Sequence, residues 1–141
     1  MPRIMLEICV DDAAGISAAA TGGADRIELC AALGLGGLTP SAGLIALAAE
    51  TALPTMVMIR PRAGDFVWSS AEMRAMRAEI AAVRAAGLAG VVIGASMPDG
   101  RLDAAALAEL VAQASGLDIT LHRAIDLVPD VAEAMRLCQS L

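Results

Sequence analysis

With 141 residues, 57% of them hydrophobic, and a formal net charge of −6, the chain has room for one domain with a substantial core and too little for two of ordinary size. No stretch of about 18 consecutive apolar residues occurs, which argues against a membrane partner, and the ten arginines are scattered, which argues against a nucleic-acid partner. The absence of lysine excludes Schiff-base chemistry from within the chain, and the acid at Glu7 interrupts any export signal, so a cytoplasmic protein with three reduced thiols is expected.

In chain order, short apolar runs rich in β-branched residues at 4–9, 25–30, 54–60, 89–94 and 118–122 predict five buried strands. Ala-rich segments with helical spacing at 11–21, 41–51, 69–86, 103–114 and 130–138 alternate with them. Asp11 or Asp12, Ser41, Ser69, Asp103 and Asp130 stand where N-caps belong, and Ser69 with Glu72 has the spacing of a capping box. Gly22-Gly23, Gly87 and Gly116 mark helix ends. The βα repeat over residues 1–141, read as a single domain, calls for a parallel sheet covered by helices.

Two strands share a polar design. Period-two alternation sends Glu7 and Cys9 to one face of the first strand, and Arg26, Glu28 and Cys30 to one face of the second. An open doubly wound sheet buries both faces of its central strands under helices, where such groups are costly. A barrel accepts them, because residues late in its strands point into the mouth where active sites lie. Glu7, Cys9, Glu28, Cys30, Arg60, Arg62 and His122 all read as late in their strands. The fold expected is therefore a (β/α)8 TIM barrel, truncated here to about five βα units, since closure takes about 250 residues. The open edges of such a piece predict self-association into a homo-oligomer.

These polar groups support two kinds of chemistry. Cys9 and Cys30 end neighbouring strands, and two soft thiolates suit Cu(I); the competing reading makes both small buried hydrophobes. Glu7 and Glu28, read at equal depth, would repel and raise one pKa, as a general acid or base requires, unless Arg26, Arg60 or Arg62 compensates. Arg60-Pro61-Arg62 sets two guanidinium forks on one side of an extended segment, suited to phosphate or carboxylate; pairing with Glu7, Glu28 or Asp65 is the alternative. His122, the only histidine, closes the fifth strand, and Asp126 is placed to orient it or to pair with Arg123. The Gly-rich run at 34–41 matches neither the Walker nor the dinucleotide fingerprint and reads as a βα loop.

The segments LEICVD (6–11), GGADRIELC (22–30), GGLTPSAG (36–43), IRPRAGDF (59–66) and TLHRAID (120–126) together resemble the CutC copper homeostasis family. The resemblance runs along essentially the whole chain and matches the first three fifths or so of that family's barrel. It implies a cytoplasmic TIM-barrel protein that handles copper, with a Cu(I) site at Cys9 and Cys30; on the residues themselves, Arg26 or His122 would tune such a site. The alternative expectation is an enzyme acting on a small anionic metabolite. There Glu7, Glu28, His122 and Asp126 would carry acid/base chemistry, with Arg26, Arg60, Arg62 and Arg123 binding substrate.

Overall fold

The computed structural model describes residues 3–141. Five strands, β1 (Glu7–Val10), β2 (Arg26–Leu29), β3 (Thr55–Met58), β4 (Gly90–Ile93) and β5 (Asp118–Leu121), alternate with α1 (Ala13–Gly22), α2 (Ala42–Ala49), α3 (Ser70–Ala85), α4 (Ala104–Gln113) and α5 (Val131–Ser140). The strands form one parallel sheet in the order β1-β2-β3-β4-β5. A doubly wound sheet reverses its strand order at a switch point, whereas consecutive order is the winding of a TIM barrel.

The predicted caps form. Asp12, Ser41, Ser69, Asp103 and Asp130 each accept a backbone N–H at the start of their helix, and Ser69 with Glu72 completes the capping box. Gly23 ends α1 at φ +85°, a left-handed conformation that costs glycine nothing. Along α3, Met73, Met76, Ile80 and Val83 recur at helical spacing and bury against Val57, Ile59, Val91 and Ile93. Ile27 and Leu29 pack with Ile16, Ala19 and Ala48 on the same side of the sheet. Each such aliphatic side chain contributes roughly 1.5–3 kcal/mol through burial. All of this apolar packing serves one face, which the helices cover.

On the opposite face the apolar cluster of Cys30, Met56, Met58 and Val92 contains, among the described residues, no helix residue. Register lays its side chains in rows. Cys9, Glu28, Met56, Gly90 and Asp118 form one row, and Cys30, Met58, Val92 and Thr120 lie in the row above, toward the strands' C-terminal ends. Small residues stand beside large ones within a row: a Cβ on Gly90 would overlap the Met56 sulfur and the Asp118 carbonyl oxygen. Such layering of inward residues fills a TIM-barrel interior.

Candidate functional site

The inward face divides by height. At the bottom, Glu7 opens β1, Arg26 opens β2, and the two form an ion pair. This corrects the expectation that Glu7 lies late in its strand, level with Glu28. Leu6 leaves the ladder, its carbonyl accepting N–H groups from Asp25 and Arg26, so β1 starts at Glu7 and register places Glu28 beside Cys9 instead. Glu7 and Arg26 thus pair with each other at the start of their strands, one step below Cys9 and Glu28.

Cys9 and Cys30 are one row apart rather than side by side. Cys9 is exposed, and its thiol donates to Glu28 Oε2 at 3.3 Å. Cys30 lies just past β2, is 1% exposed, and its backbone N–H donates to the Val10 carbonyl. Cys30 is thus diagonal to Cys9 across the paired strands. Partial desolvation by the surrounding protein, then the Glu28 charge, pushes the Cys9 thiol up to about 11, and burial, then the Glu28 charge, pushes the Cys30 thiol up to about 12. Both are therefore protonated at neutral pH, and an entering metal must displace two protons. Cys138 lies on α5, in the apolar packing against the helical side of the sheet.

Above the thiols stands a cationic tier. Arg60 follows β3, is 5% exposed, and donates from Nη1 to the Leu35 and Gly37 carbonyls and from Nη2 to the Gly64 carbonyl, each at 3.0 Å. Its guanidinium lies 5.0 Å from the centroid of the Phe66 ring, and its Nε has no partner among the described residues. Thr39 holds the backbone here. Its N–H donates to the Arg60 carbonyl, its hydroxyl oxygen accepts the Arg60 N–H at 2.8 Å, and that hydroxyl donates to Glu79. Burial, followed by the Arg123 and Arg62 charges, pushes the Arg60 pKa down. Gly37 couples the tiers: its carbonyl accepts from Arg60, and a Cβ on it would press on the Cys30 sulfur at 3.2 Å.

Arg62 departs from the expected pair of forks. Residues 59–63 are not strand, so alternation lapses, and the Arg62 guanidinium turns to Glu72 at the start of α3, to Asp65, and to the Ala63, Asp65 and Val67 carbonyls. It stacks over Trp68 and holds the loop. The second cation near Arg60 is instead Arg123: a Cβ on Gly36 would lie 3.2 Å from Arg123 Nη1 and 3.3 Å from Arg60 Nη1.

His122 is 6% exposed and packs 4.6 Å from the Phe66 centroid. Its Nδ1 accepts the Ala124 N–H at 3.2 Å, so the neutral ring carries its proton on Nε2, which has no partner among the described residues. The expectation that Asp126 orients this ring is corrected, since the backbone of Ala124 does so. Burial and the Arg60 charge push its pKa down to about 4, so the ring is neutral at neutral pH. Gly94 makes the space for it, as a Cβ there would overlap the imidazole. Glu28, Arg60, His122, Arg123 and Asp126 line one cavity of about 380 Å³, which also takes in Phe66. Among the described residues no group of three or more His, Cys, Asp or Glu has the closeness of a polydentate metal site, and no helix is long and apolar enough to cross a membrane.

The profile of the CutC family matches residues 4–141. This chain belongs to the CutC family. It is 61% identical to the CutC family protein of Rhizobium meliloti over 141 residues, which is all of this chain and 58% of that protein. It is 59% identical to the one of Agrobacterium fabrum over 138 residues, 98% of this chain and 55% of that protein. The chain therefore spans less than three fifths of the length of these relatives. Its structure matches the crystal structure of a CutC protein from Streptococcus agalactiae, to which a copper homeostasis role is assigned, with a TM-score of 0.90 and 28% identity, covering 97% of this chain and 69% of that one. A rubisco-like protein from Burkholderia fungorum matches with a TM-score of 0.59 and 16% identity over 87% of this chain and 31% of that one, which extends the likeness to the fold alone. The five units are thus a partial barrel of the CutC kind.

Proposed function

We propose that this CutC chain binds Cu(I) as cargo through the thiolates of Cys9 and Cys30, in the service of copper homeostasis. The observation that carries the reading is the placement of two thiols on adjacent strands of the inward face, one row apart, with Glu28 beside Cys9. Two-coordinate Cu(I) needs no third protein ligand, and soft sulfur donors select it over harder divalent ions. The donor set fits that ion: neutral thiols beside carboxylates attract a cation, and each surrenders its proton as the metal enters. Cytoplasmic residence agrees with this chemistry, because the thiol pool there keeps both cysteines reduced.

Anaerobic titration against a chromophoric Cu(I) chelator tests the pair. Cys9→Ser/Cys30→Ser is expected to lose more affinity than the ~100-fold that removal of an outer-shell partner causes, while Cys138→Ser binds as the parent does. Retention of parent affinity by the double variant would overturn the assignment.

A further inference from the structure

We propose that Arg60, Arg123 and His122 form a receptor for the phosphate group of a small phosphorylated metabolite in the 380 Å³ cavity, a ligand distinct from the metal held by the thiols. Arg60 is buried, yet among the described residues its guanidinium meets carbonyl oxygens and an aromatic face, and no carboxylate pairs with it. Buried cations are ordinarily paired with an anion. Arg123 adds a second guanidinium beside the same glycine, Gly36, and forms no ion pair among the described residues.

Two unspent donors sharpen this reading. Arg60 Nε and His122 Nε2 are the buried nitrogen atoms without a hydrogen-bond partner among the described residues, and both residues line this cavity. Native interiors rarely leave such groups unsatisfied, so a missing acceptor is the physical expectation. Two uncompensated cations match a phosphate dianion, whereas a single carboxylate would balance only one. Glu28 and Asp126 line the same cavity, and neither forms an ion pair with Arg60 or Arg123 among the described residues. As acceptors they suit hydroxyls on the remainder of the molecule. Barrels commonly hold phosphate at the loops after strands seven and eight. The receptor proposed here lies instead after β3 and β5.

The test is isothermal calorimetry with glycerol 3-phosphate as the probe, on the parent chain, on Arg123→Gln and on Arg74→Gln, which removes a cation exposed on α3. Arg123 is exposed and bonded to nothing among the described residues, so its replacement leaves the fold intact, as a thermal melt would verify. The parent is expected to bind, Arg123→Gln to bind about tenfold more weakly, and Arg74→Gln to bind as the parent does. Sulfate should compete, and malonate and glycerol should not. Absence of saturable binding to the parent, equal affinity in Arg123→Gln, or tighter binding of malonate than of glycerol 3-phosphate would overturn the phosphate assignment.

Discussion

Gly94→Ala is expected to lower the stability of the chain by about 3 kcal/mol, a shift of roughly 10 °C in melting temperature for a domain of this size. The added methyl would occupy the space of the His122 ring. The ring cannot retreat, because Phe66 packs 4.6 Å from it and its Nδ1 is tied to the Ala124 N–H. Either the imidazole leaves its pocket, or β4 and β5 separate where His122 donates its N–H to the Ile93 carbonyl. Over-packing of a core costs about 1–3 kcal/mol, and loss of the hydrogen bond on a buried ring adds about 1 kcal/mol. A double-mutant cycle isolates the cause. In a His122→Ala background the Gly94→Ala cost should fall below about 1 kcal/mol, and an undiminished cost would show that the glycine serves the backbone rather than the ring.

The affinity for Cu(I) is expected to rise about 100-fold per pH unit, a slope that persists to about pH 10. The sign follows from the thiols. Both pKa values are raised, to about 11 and about 12, so the protonated forms dominate throughout the neutral range. Binding to both releases two protons, and each proton contributes a tenfold change per unit. Ordinary thiols would begin to flatten the curve about two units earlier. The same shifts predict the behaviour of the metal-free chain. A folded pKa above the unfolded one stabilises the fold below pH about 9, and that contribution is lost as pH rises through the folded values. Chelator competition at several pH values reads the slope, and a slope of one or less would mean that only one cysteine gives up a proton.

The course of the chain was legible from periodicity and caps. Ile27 and Leu29 announced one buried face of β2, Arg26, Glu28 and Cys30 the other, and five N-cap residues stood in place before five helices. The heights of the inward residues were not legible, because alternation gives the face of a residue and leaves the register of its strand open. Register pairs Glu7 with Arg26 and Cys9 with Glu28, so an expected pair of like charges becomes an ion pair and a thiol–carboxylate contact. Arg62 follows the alternative of pairing with Asp65, and Glu72 joins it, because alternation ceases where the strand ends. The approach of Arg123 to Arg60 depends on Gly36 and on the fold of two separate loops. The glycines at 36, 37 and 94 were the available signal, since each marks a close approach to a site side chain.

The pairing of Cys9 with Cys30 is the centre of the account, and copper K-edge X-ray absorption of the chain loaded anaerobically with one equivalent of Cu(I) tests it most directly. Two sulfur neighbours and no nitrogen or oxygen in the first shell are expected, with a lighter atom replacing one sulfur in Cys9→Ser. A first shell of nitrogen and oxygen, or a spectrum that Cys9→Ser leaves unchanged, would contradict it.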